Sequence, residues 1–268
     1  MLLHSTTLTI ASVGLIPVII TGSISLSTGS IFGLSGLAVV MFTETYGPLI
    51  GLIGGILVAA AVGSIDGLLF VKLKIPSFIL TLGTMTLIRG LILLWGQGRS
   101  IYFSPHFAVI GSFPIIFYIS STIVVISYII YNFMPYGRYL RAVGHNEEAS
   151  KLAGISVNKI KFSAFLWCGI FVGISGILST YRMWAATPTM GVGYELKIIA
   201  ASVLGGVPLT GGIGRMEGAL MGALVMSVLE NGLIMIGVGP EVHMILMGLI
   251  VIIAVTTMLN RRMIKSIK

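Results

Sequence analysis

The residues of this chain that could do chemistry are few, and their types exclude more than they suggest. There is one aspartate, Asp66, so the paired aspartates of an intramembrane aspartyl protease are impossible. The dipeptide Gly-Lys does not occur, and with it goes the GxxxxGKS/T loop that cradles nucleotide phosphates. His4, His106, His145 and His243 share no spacing that suggests a metal site. Gly173-Ile174-Ser175-Gly176 with His243 as a base would serve an intramembrane serine protease. Gly33-Leu34-Ser35-Gly36 repeats that pattern, as chance allows in a chain with 35 glycines. The single cysteine, Cys168, lies in an apolar run and reads as a small buried hydrophobe.

What remains is a set of polar groups where none should be cheap. Ionisable residues inside apolar segments are costly and often functional. Arg89 and Glu230 are of this kind, the latter followed by Asn231; they are candidates to pair with each other or to line a pathway, and structural pairing is the preferred reading. Asp66 with Lys72 or Lys74 is expected to mark the cytoplasmic end of one helix. Glu195, a further pathway or gating candidate, and Lys197 are expected at the outer mouth of another, beside Trp184 and Tyr194 in an interfacial aromatic belt. Two glycine-rich stretches, Gly22 to Ser30 and Gly205 to Gly214, are too polar for lipid, so their backbone must be covered by protein or line a cavity. Ser25 and Ser27 in the first and Thr210 in the second are therefore pathway or gating candidates. Laid over each other, Gly22, Leu26, Ser27 and Gly29 match Gly205, Leu209, Thr210 and Gly212, a weak echo of an internal repeat.

One sizeable polar island interrupts the apolar runs, from Gly144 to Ile155. Asn146 is a good N-cap, Glu147 and Glu148 suit a first helical turn, Lys151 suits the last, and Gly154 can take the left-handed C′ position. A short helix outside the membrane is the expectation, with an ordinary solvated loop as the alternative.

The elements that must hold these groups follow from composition. Of 268 residues 56% are hydrophobic and 9% charged, with a mean hydropathy of +1.06, values of a polytopic all-α membrane protein. Apolar segments are expected at about 8–22, 31–45, 47–70, 75–96, 114–133, 162–186, 196–212, 215–238 and 241–259, in a single transmembrane domain over 1–268. The basic residues behind the formal +8 charge fall between and after these segments, so they read as topology signals and lipid contacts rather than a nucleic-acid surface. Arg138, Arg141, Lys159 and Lys161 place the 134–161 loop in the cytoplasm, and the tail from Arg261 to Lys268 places the C-terminus there. Residues 97–113 and 187–194 are then expected outside. Nine spans leave the N-terminus outside without a signal-peptide pattern; a tenth, missing or unrecognised first helix would bring it inside.

Three features in order resemble the membrane permeases of sugar-importing ABC transporters, in the ribose/xylose/arabinose/galactoside branch. Gly22 to Ser30 is similar to that family's GGIDLSVGS element. Val143 to Ala149 with Ala153-Gly154-Ile155 resembles its GxNxxAAxxAGI cytoplasmic loop. Gly193 to Leu196, Ile199 to Gly206 and Gly211 to Arg215 resemble a third, the most specific. Two departures stand out: Ser25 and Lys197 occupy positions where the family usually has aspartate. The resemblance implies a permease for a monosaccharide, by analogy a pentose such as xylose, arabinose or ribose. It implies a second permease copy (identical or paralogous), two cytoplasmic ABC ATPase subunits, an extracytoplasmic sugar-binding protein, and no catalysis, metal or cofactor of its own. The island becomes the helix that docks on the ATPase, with Gly144, Asn146, Glu147, Glu148, Ala149 and Gly154 as its core. Related permeases for nucleosides, a signalling furanose or branched-chain amino acids share the fold and are the alternatives.

Overall fold

A computed structural model describes residues 2–104 and 113–237, with scattered positions between 239 and 256. Most of the segment expected at 241–259, including His243, and the basic tail lie outside the described residues. The helices are α1 (Leu2–Ile20), α2 (Thr28–Tyr46), α3 (Pro48–Leu73), α4 (Ser77–Trp95), α5 (Phe113–Phe133), α6 (Pro135–His145), α7 (Glu147–Leu152), α8 (Val157–Met183), α9 (Tyr194–Leu204) and α10 (Met216–Met235). Two-residue strands β1 (Ile101–Tyr102) and β2 (Ala185–Ala186) form an antiparallel ribbon.

Long apolar runs become helices because a chain in lipid must satisfy its backbone amides within itself. Among the described residues α3, α4, α5, α8 and α10 are long and apolar enough to cross a membrane. The centre belongs to α1, which is covered on all sides: every residue from Ser5 to Ile20 is buried, against α8, α10, α5 and α9. Around it small residues set the spacing, since apolar side chains gain little from leaving lipid for protein. At the tight α3–α8 contact a Cβ on Gly63 would lie 2.7 Å from the Phe165 carbonyl oxygen and 2.9 Å from the Gly169 Cα. Leu57, Leu87, Leu94, Tyr118 and Val125 face outward from α3, α4 and α5, a surface suited to acyl chains.

The bundle has two chemically distinct ends. At one, the β-ribbon joins the segment after α4 to the segment after α8, with Ile101 opposite Ala186, and both the amide and the hydroxyl of Ser104 donate to the Glu44 carboxylate at 2.7 Å. At the other lie α6, α7, Lys72 and Lys74, where the Lys161 ammonium sits 5.1 Å over the Phe70 ring and pairs with Glu147. The 97–104 stretch and the polar island are thus at opposite ends of the bundle.

The segment expected at 196–212 does not form one span. Its helix, α9, has 11 residues and stops at Leu204. Within the 187–194 stretch expected outside, Met190 and Gly191 lie in a groove on α2 before α9 begins. Glycines at positions 29, 33 and 36 make that groove: a Cβ on Gly33 would lie 2.5 Å from the Met190 carbonyl oxygen, and one on Gly29 equally close to that of Gly191. Glu195 and Lys197 are partly buried, Glu195 against the start of α2 and Lys197 against Glu230 of α10.

Candidate translocation and coupling site

Two helices of the core end in the same way. After α1, the Gly22 amide donates to Ile19 O at 2.9 Å and the Ser23 amide to Val18 O at 3.2 Å; after α9, Gly206 donates to Val203 O at 2.9 Å and Val207 to Ser202 O at 3.1 Å. Each is a Schellman cap with its glycine at positive φ, 76° for Gly22 and 89° for Gly206. The structural equivalence is therefore Gly22 with Gly206, one residue from the register suggested by sequence. The two breaks also touch. The Gly212 amide donates to Ile20 O at 2.8 Å, and a Cβ on Gly211 would fall 2.7 Å from the Gly22 Cα.

The first break is satisfied by hydroxyls from its neighbours. Ile24 N–H donates to Ser77 Oγ and Leu26 N–H to Thr81 Oγ1, both at 2.9 Å. The Ser27 hydroxyl donates to Asp66 Oδ2 at 2.6 Å, and Ser25 and Ser27 hydroxyls stand 3.0 Å apart. Asp66 is fully buried, which corrects its expected place at a helix end: the carboxylate faces the break across the bundle. Its second oxygen, Oδ1, is buried without a hydrogen-bond partner. Sequence inspection missed Asp66 as a site residue, although a lone aspartate in an apolar run was the available signal.

A second constellation holds Met190 and Gly191 of the segment before α9. Arg89, from α4, donates through Nη1 to Met190 O at 2.8 Å and through Nη2 to Gly191 O at 2.5 Å, with Glu195 Oε2 at 3.9 Å from Nη2. Lys197 pairs with Glu230 of α10 at 2.5 Å. The expected Arg89–Glu230 pair is thus replaced by two others, because the groove on α2 draws the start of α9 inward and places Glu195 between Arg89 and the α2 backbone. The Tyr194 ring packs against that of Phe32, centroids 4.3 Å apart and planes tilted by 35°. Asn231 donates to Ser227 O of its own helix at 2.7 Å, and Thr210 is exposed. Ser175, the nucleophile a protease would need, donates to Thr7 O at 2.7 Å and serves helix packing.

The polar island is a short capped helix. Asn146 Oδ1 accepts from the Ala149 amide at 3.0 Å, and the helix closes on Gly154 at φ 80°, where Ile155 N–H donates to Ser150 O at 2.9 Å. Asn146, Glu148 and Ala149 are exposed, and Leu152 is 91% exposed. Leu152 was not singled out from the sequence. The other side of the island is seated on the breaks. A Cβ on Gly144 would overlap the Ile20 carbonyl oxygen and approach Gly212 N to 2.7 Å. Gly144 of α6 thus lies against the backbone of both broken segments, at Ile20 and at Gly212.

A helical bundle with two touching helix breaks, the first lined by hydroxyls, and a short helix ending at the second fits a membrane permease. The chain belongs to the family described as branched-chain amino acid transport system / permease component, which matches residues 1–255. It is a multi-pass membrane protein. It is 38% identical to ribose import permease protein RbsC of Haemophilus influenzae and 35% identical to RbsC of Escherichia coli K12, in each case over 92% of this chain and 80% of the relative. It is 35% identical to the L-arabinose ABC transporter permease protein AraH of Azospirillum brasilense, over 87% of this chain and 71% of the relative. No solved structure matches.

Proposed function

We propose that this chain is the permease subunit of an ABC importer carrying a pentose across the cell membrane, with ribose and arabinose as first candidates. The relatives named for those two sugars support the substrate class over branched-chain amino acids. The polar island faces the cytoplasm, as its basic flanks suggest, and so does the C-terminus. ATP is hydrolysed by two separate subunits, a second permease copy completes the pathway, and an extracytoplasmic binding protein delivers the sugar.

The observation that carries this reading is the two-sided island. Leu152 and Ala149 are exposed on a capped helix, while Gly144 at its base touches Ile20 and Gly212. Closure of an ATPase dimer around the exposed side would move α6 and α7 as a rigid piece, and the breaks would follow. Arg89 sets the position of the half-helix that moves with them. Reconstitution of the chain with its ATPase and binding protein tests the proposal: ATP-dependent uptake of labelled ribose or arabinose is expected, with labelled leucine left outside. Leucine uptake without pentose uptake would overturn the substrate assignment.

A further inference from the structure

Beside the island lies a cavity of about 730 Å³, walled by α5, α6, the 212–214 turn and the start of α10. Its polar lining is mostly donors. Arg141 and Arg215 both line it, and among the described residues neither has an ion-pair partner. Asn132 also lines it, and its amide Nδ2 is buried without an acceptor. His145 contributes an imidazole, and the one carboxylate is Glu217. The wall is fixed by Tyr131, which donates to Gly214 O at 2.6 Å and carries the Arg141 guanidinium 4.7 Å over its ring. The 20-residue α10 begins here without a side-chain cap, adding the positive end of a helix dipole.

We infer that this cavity binds a phosphate-bearing anion, and that the anion is the headgroup of an acidic phospholipid of the adjoining leaflet. Two guanidiniums and an unsatisfied amide around one volume match a phosphate group better than a neutral ligand. The lipid is preferred over free phosphate because Phe133 and Met134, next in sequence to Asn132, and Leu220 and Met221, one turn along α10 from Glu217, are exposed, an apolar flank on which acyl chains can lie. A headgroup held by Arg141 and Arg215 would bridge α6 to α10 across the Gly212 turn and stiffen the contact through which the island acts. This inference needs only a membrane-embedded chain and is independent of the sugar carried.

Native mass spectrometry of the full chain released from nanodiscs of mixed phosphatidylglycerol and phosphatidylcholine reads it directly. Wild type is expected to retain phosphatidylglycerol in preference to phosphatidylcholine. Each of Arg141→Gln and Arg215→Gln should lower that retention about five- to tenfold. Arg138→Gln, on the exposed side of the same helix, should leave it unchanged. Glu217→Gln removes the opposing charge and should raise retention, a gain that misfolding cannot mimic. Equal retention in wild type and both arginine variants, or no gain in Glu217→Gln, would overturn the site. Stabilisation by inorganic phosphate in lipid-free micelles, with no preference for phosphatidylglycerol, would overturn the lipid as its occupant.

Discussion

Ser27 donates its hydroxyl to Asp66 at 2.6 Å, and both residues are completely buried. That one bond ties the break after α1 to the middle of the bundle, in a region where neither partner can turn to water. Asp66→Ala would leave the Ser27 hydroxyl seeking a partner, at a cost of about 1–3 kcal/mol. Asp66→Asn keeps an acceptor in place and is expected to lose less. Thermal unfolding in detergent should rank wild type above Asn above Ala, and transport should fall in the same order; an Ala variant as stable as wild type would mean that the bond does not hold the break.

Arg89 makes a fork that a lysine cannot reproduce, since two neighbouring carbonyls are met by two guanidinium nitrogens. Arg89→Met is expected to abolish uptake, with Arg89→Lys recovering only part of it. Glu195→Gln should be milder, because the carboxylate stands 3.9 Å away and the carbonyl contacts survive. Each lost charge-assisted bond corresponds to about 1.5–3 kcal/mol. Full uptake by Arg89→Lys would argue that charge alone, rather than the fork, positions the half-helix.

Two glycines of the island region separate contact from backbone conformation. Gly144→Ala inserts a methyl group into the Ile20 carbonyl and should disable transport even if the protein inserts normally. Gly154 has open space around it but a φ of 80°, so Gly154→Ala meets no clash and is expected to cost only about 1 kcal/mol of strain. Uptake by the two variants, compared at equal membrane abundance, should differ sharply.

Labelling by a membrane-impermeant thiol reagent tests the two-ended arrangement. Cys168 is buried, so Cys168→Ala provides a quiet background. Cysteines introduced at Lys72 and His145 should react only when the cytoplasmic side is opened, and one at Tyr102 should react in intact cells. Labelling at 145 from outside would invert the orientation.

Much of this was readable along the chain and little of it across the chain. The breaks at Gly22 and Gly206 and the capped island announce themselves because glycine, serine and asparagine have local consequences that hydrophobic neighbours do not mask. Which way Asp66 or Glu195 points is a different matter. In a soluble helix polar residues mark the outer face, but lipid and protein interior are equally apolar here, so sequence pattern carries almost no facing information. The Arg89–Glu230 pairing failed for that reason, and the seating of Met190 and Gly191 depended on a groove formed by Gly29, Gly33 and Gly36 on another helix. Leu152 was overlooked because one leucine among so many is conspicuous only once its 91% exposure is seen.

The central claim is that α7 offers its exposed side to the ATPase. Leu152→Glu and Ala149→Arg alter exposed positions of that side, so insertion and melting temperature should match wild type. Pull-down of the ATPase by each purified variant, beside uptake of labelled pentose, is the deciding measurement. The predicted result is a loss of ATPase binding of about tenfold or more, as for an anchor residue at an interface, with uptake falling in parallel. Undiminished ATPase recovery and wild-type uptake by both variants would contradict the account and leave the island a connector between two spans.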